Sequence, residues 1–156
     1  HCQCRRQRQM CIRDSSNKVG YIGVTPLIID GTIKDNLLYG NDLEVKDEEI
    51  LEILEKFSFT PENKSMSLDT VINNTSLSSG QMQKVSFMRS LLNNSDILLL
   101  DEATSNLDEN SKVLIFDILR DKKITIINST HTKEDFVYDL EFRISVNGNE
   151  RSINIY

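Results

Sequence analysis

The chain has 156 residues, of which 38% are hydrophobic and 27% charged, and its formal net charge is −6. That is one domain of globular composition. The acidic balance argues against a nucleic-acid binder, which presents a basic face, and no apolar run approaches the roughly 18 residues of a membrane helix.

The first stretch, HCQCRRQRQMCIRDS, has no periodicity and holds all three cysteines, Cys2, Cys4 and Cys11. Cys2 and Cys4 beside His1 lack a second pair of ligands, so no metal is assigned to them. Arg5 to Ser15 match one translated frame of a transposase-type sequencing adapter. Residues 1–15 are therefore expected to be a non-native adapter or assembly scar. Because they carry four arginines and one aspartate, the remainder has 14 basic and 23 acidic residues, a net charge of −9. It also has no cysteine, which suits a reducing compartment. Ala103 is the only alanine, while asparagine, isoleucine and lysine abound, a bias that points to AT-rich, bacterial coding DNA.

Val19 to Val24 read as a short strand broken by Thr25-Pro26. Gly31 to Gly40 then suit a capped helical turn, with Thr32 as cap and Ile33 and Leu37 as its buried pair. From Asp47 to Phe57 the pattern is an amphipathic helix. Ile50, Leu51, Ile53, Leu54 and Phe57 face inward, and Glu48, Glu49, Glu52, Glu55 and Lys56 face water. Ser58 to Ser76 are polar and irregular, with Pro61 as a breaker.

The most informative stretch is Leu77 to Asp108, LSSGQMQKVSFMRSLLNNSDILLLDEATSNLD. Ser78 and Gln81 have the spacing of a capping box. Gly80 leaves the first turn open, so an anion can approach unpaired N–H groups at the positive end of the helix dipole. Met82, Val85, Met88, Leu91 and Leu92 recur at helical spacing and supply the buried face. The helix is expected to stop at Asn93-Asn94. Ile97 to Leu100 then suit a central parallel strand buried on both faces. Asp101 and Glu102 follow at its carboxyl end, where open α/β sheets bind ligands. Two adjacent acids beside a phosphate site suggest Asp101 near Mg²⁺ and Glu102 as the general base that polarises a water.

Glu109 to Arg120 form another amphipathic helix, and Ile124 to Asn128 another buried strand, with His131 just beyond it. Phe142, Ile144 and Val146, then Ile153 and Ile155, alternate around Asn147-Gly148, a hairpin signal.

These motifs resemble the nucleotide-binding domain of exporter-type ATP-binding cassette (ABC) transporters, over roughly residues 18 to 140. LSSGQ is similar to the family signature LSGGQ, with Ser79 in place of its first glycine. ILLLDE resembles the Walker B strand with its catalytic glutamate, SNLD the D-loop, and GTIKDNL the stretch after the Q-loop. Tyr21, Ile22 and Pro26 fit the Q-loop, but Val24 stands where the family has glutamine. Thr70-Val71 keep only part of a loop that touches the membrane domain in exporters.

The resemblance implies an α/β, P-loop NTPase-type ABC ATPase fold in partial form. Its parallel core sheet would be flanked by helices, with an inserted helical subdomain (about 32–94), a core (95–140) and a terminal β-hairpin (141–156). Since no G-x-x-x-x-G-K-[ST] loop occurs, the chain is expected to be the carboxyl-terminal part of such a domain, inactive by itself. The parent would be an ATPase using ATP and Mg²⁺ at the cytoplasmic face of the cell membrane. It would work with a transmembrane domain and a second nucleotide-binding domain, without nucleic acid.

In that scheme Ser78, Ser79, Gly80 and Gln81 bind the γ-phosphate held by the partner domain. Asp101, Glu102 and His131 serve this chain's own site, and Asp108 links the two. A non-catalytic regulatory cassette, which Val24 favours, and a soluble relative in DNA repair or translation are the alternatives.

Overall fold

The computed structural model describes residues 19–41, 43–60, 67–131, 137–147 and 150–156. The adapter-like segment, Pro61 and Gly148 of the hairpin turn lie outside the described residues. In chain order the elements are β1 (Val19–Ile22), β2 (Gly31–Thr32), α1 (Ile33–Leu38), α2 (Asp47–Lys56), β3 (Val71–Ile72), α3 (Ser79–Leu92), β4 (Ile97–Asp101), α4 (Glu109–Asp121), β5 (Thr125–Ser129), β6 (Phe142–Asn147) and β7 (Glu150–Ile155).

The sheet β1-β4-β5 is parallel throughout, with Ile22 opposite Leu100 and Asp101 opposite Ser129. Helix α4 makes the crossover between β4 and β5, as a parallel pair requires. The fold is thus α/β with a parallel core sheet, helices beside it and a C-terminal hairpin, as expected. Strand β4 is central, but only Leu98 and Leu100 are buried, while Ile97 and Leu99 are half-exposed. The expectation of burial on both faces fails, because period-2 alternation sends only one face of the strand into the core. Strand β5 begins one residue later than its apolar run and is half-exposed, with Ile127 turned outward.

Strand β1 stops at Ile22 and does not run on to Val24. The carbonyl oxygens of Gly23 and Val24 accept from the side chains of Gln83 and Asn106, and Pro26 has no N–H to give. Helix α1 carries a complete capping box, with Asp35 N donating to Thr32 Oγ1 at 3.0 Å and Thr32 N to Asp35 Oδ2 at 2.9 Å. Ile33 and Leu37 are fully buried. In α2 the core side is Ile50 and Leu54, followed by Phe57. Leu51 is exposed, since it lies about 100° from Ile50 around the helix and falls off the stripe.

The segment read as irregular contains β3, which pairs antiparallel with β2. Two residues are too short to leave a period in the sequence.

Helix α3 is buried on most of its circumference, including Gln83, Ser86, Phe87 and Ser90. Its Arg89 guanidinium sits 5.6 Å from the Tyr39 ring and donates to Asn36 O at 2.7 Å and Leu27 O at 2.9 Å. Desolvation holds Arg89 below its ordinary value. These bonds fasten α1 and the loop before it to α3.

Hairpin β6-β7 pairs Phe142 with Ile155 and Ile144 with Ile153. Phe142, Ile144, Val146, Ile153 and Ile155 are each 59–67% exposed. Among the described residues no helix is long and apolar enough to cross a membrane.

Candidate functional site

Two pieces of backbone build the site: the start of α3, and the loop between β4 and α4. At the first, Gln81 N donates to Ser78 Oγ at 3.2 Å, and Ser78 N donates to Gln81 Oε1 at 2.8 Å. This is the expected capping box. Gln81 Nε2 also donates to Thr60 O at 2.8 Å, which ties the helix start to the chain just after α2. The first intrahelical donor is Met82, bonded to Ser78 O. The N–H groups of Ser79 and Gly80 therefore precede the helical ladder, as the first donors of a helix do. A Cβ at Gly80 would lie 3.2 Å from Asn106 O, so the glycine lets the loop approach the helix start.

At the second piece, Asp101 ends β4 and Glu102 turns sharply, with φ of 50°. That left-handed conformation is uncommon outside glycine and asparagine. It is stabilised by Glu102 N donating to Ser129 O at 2.8 Å, the bond that closes the last pair of β4 with β5. The turn lifts the Glu102 side chain to the sheet's carboxyl edge, where Oε1 lies 3.0 Å from His131 Nδ1. Both side chains are partly exposed. Asp101 accepts a hydrogen bond from Tyr21 Oη at 3.3 Å. Desolvation, then the Asp101 charge and this bond, hold the Tyr21 phenol above its ordinary value. A Cβ at Gly23 would fall 2.6 Å from Tyr21 Oη, so that glycine leaves room for the ring.

Asp108 is the N-cap of α4, accepting from Ser111 N and Ser111 Oγ, both at 2.9 Å. Those two bonds hold its carboxyl below the ordinary value.

The structure thus brings Glu102 and His131 together, sets Asp101 beside Tyr21, and packs the start of α3 against Asn106. Gln83 had no part in the sequence reading, and Tyr21 and Asn106 entered it only as members of the Q-loop and D-loop patterns, without the contacts they make here. Each acts across 60 or more positions, and only the hydroxyl at Tyr21 and the amide inside an apolar stripe at Gln83 hint at it. Among the described residues no group of three or more His, Cys, Asp or Glu side chains could cage a metal ion. Asp101 and Glu102 offer adjacent hard oxygen donors. These fit Mg²⁺, which takes one or two carboxylates together with waters and substrate phosphates.

The ABC transporter family model matches residues 3–105, which includes part of the segment read as an adapter scar. The chain is 38% identical over 125 residues to ATP-dependent permease MDL1 of Candida albicans, covering 74% of this chain and 18% of that protein. It is 35% identical over 132 residues to the glutathione/L-cysteine transport system ATP-binding/permease protein CydD of Haemophilus influenzae, covering 82% of this chain and 22% of that protein. A solved bacterial Atm1-family ABC exporter with ATP bound superposes with a TM-score of 0.63 at 26% identity, over 71% of this chain and 21% of that one. The chain belongs to the ABC transporter family, as a stretch of its ATP-binding domain. It spans about a fifth of the length of these relatives.

Proposed function

We propose that this chain supplies the signature, Walker B, D-loop and histidine elements of an exporter-type ABC transporter that couples ATP hydrolysis to movement of a substrate across a membrane. The observation that carries the reading is Glu102. It is turned left-handed at the carboxyl end of β4, with its carboxylate 3.0 Å from His131. An acid held there by sheet pairing would polarise a water, and His131 would meet the terminal phosphate. Asp101, with waters, would hold Mg²⁺, which supplies charge neutralisation to the phosphates. Ser78, Ser79, Gly80 and Gln81 would bind the γ-phosphate of a nucleotide carried by a second nucleotide-binding domain. Asp108, already capping α4, would stand where the two sites meet.

The layout goes with this reading: a helical subdomain over about 32–94, a core over 95–140 and a hairpin over 141–156. The whole protein would sit at the cytoplasmic face of the cell membrane, joined to a transmembrane domain. Closure of two such domains on ATP and their reopening after hydrolysis would drive the membrane helices.

A second reading, a regulatory cassette that binds ATP without turning it over, is favoured by Val24. It places an exposed apolar side chain where the family has an amide. Binding and hydrolysis of Mg·ATP by the full-length protein separate the two. Hydrolysis by the protein alone supports the first reading. Stoichiometric binding without turnover supports the second, and the absence of binding contradicts both.

A further inference from the structure

The segment that follows β1 is held by its main chain. Gln83, fully buried in α3, donates from Nε2 to Gly23 O at 3.2 Å. Its Oε1 is buried with no hydrogen-bond partner. Asn106, exposed in the loop after Glu102, donates from Nδ2 to Val24 O at 3.2 Å. The carbonyl of Asn106 lies against Gly80 at the start of α3. A closed circuit results, from α3 through Gln83 to Gly23, along the chain to Val24, through Asn106 to the acid loop, and back to α3. Buried polar atoms are almost always paired, so packing alone does not account for a fully buried amide that makes one bond and leaves its acceptor empty. What that amide does is hold a carbonyl on a neighbouring segment.

We propose that Gln83 and Asn106 are positioning residues, which fix Gly23–Val24 to the two nucleotide elements through carbonyl oxygens and so place this segment whatever side chain stands at position 24. The inference rests on the reading of α3 and the Asp101–Glu102 loop as nucleotide elements. A main-chain tether is indifferent to the Val24 side chain, whereas a side-chain link would be lost with it. Because the tethers join the anion-binding helix and the acid loop to one segment, a shift of either element on nucleotide binding would move Gly23–Val24.

The test is hydrogen–deuterium exchange of the peptide covering residues 21–27 in the full-length protein, without nucleotide, together with steady-state ATP turnover. Gln83→Met keeps the volume and removes the amide. Asn106→Ala removes the other amide at an exposed position, where lost volume matters little, and serves if Gln83→Met fails to fold. Ser90→Ala, elsewhere in the buried face of α3, controls for general loosening of that helix. The expected result is exchange about fivefold faster at 21–27 in either amide variant, the worth of one hydrogen bond. The maximum turnover rate should fall with the ATP KM nearly unchanged, and Val24→Gln should leave exchange at the wild-type rate. Unchanged exchange in the amide variants, or equal acceleration by Ser90→Ala, overturns the tether. If wild-type protein shows no turnover while exchange responds as expected, the tether stands and the hydrolytic reading of the site fails instead.

Discussion

A left-handed backbone costs a residue with a side chain about 1–3 kcal/mol, and Glu102 adopts it between a strand and a polar turn. The Ser129 carbonyl and the His131 ring hold the residue from two sides. Position 24 is the opposite case. Its carbonyl is held by Asn106, but the valine side chain can neither coordinate an ion nor hydrogen-bond a water. Val24→Gln should therefore raise ATP turnover of the full-length protein, on the order of tenfold. Steady-state hydrolysis by the protein alone and with a partner cassette checks this. Brisk hydrolysis by the protein alone with no gain from Val24→Gln would contradict the view that valine at position 24 impairs the site. At this scale the acids were legible in the sequence because they adjoin an apolar strand. The contacts of Tyr21 and Asn106 were not, because each finds its partner roughly 80 positions away.

The elements follow local rules closely. Three helices begin on side-chain caps at Thr32, Ser78 and Asp108, each accepting from the N–H three residues on. The two capping boxes could be read from i, i+3 spacing alone. Burial could not, because it depends on neighbours from other parts of the chain. Leu51 and Ile127 are apolar yet exposed, and Gln83 is polar yet fully buried.

The Asp108 cap makes a pH prediction. Ser111 holds the carboxyl below its ordinary 3.8, so the cap's contribution to stability is complete above that value and is lost as the pH falls through the lower folded value. Asp108→Asn keeps a capping oxygen but does not titrate. Thermal unfolding followed from neutral pH to below 3.8 should show the wild type losing stability more steeply than the variant. Parallel curves would contradict the assignment. Ser78→Ala should cost about 1 kcal/mol of stability, read from the shift in unfolding midpoint.

Across the whole molecule, a three-stranded parallel sheet carries the acids and the histidine at one edge, while α3 brings its open N-terminus to the loop between them. The parallel sheet was foreseeable, since two apolar runs bracket an amphipathic helix. The antiparallel pairing of β2 with β3 was not, because two-residue strands carry no pattern. In the proposed mechanism Glu102 activates the water that attacks ATP. The direct measurement is single-turnover hydrolysis by the full-length protein and its Glu102→Gln variant, with ATP binding measured in parallel. Turnover should fall roughly 10²–10⁴-fold while binding is retained, the usual worth of a general base that does not anchor the nucleotide. Turnover equal to the wild type's would contradict the claim.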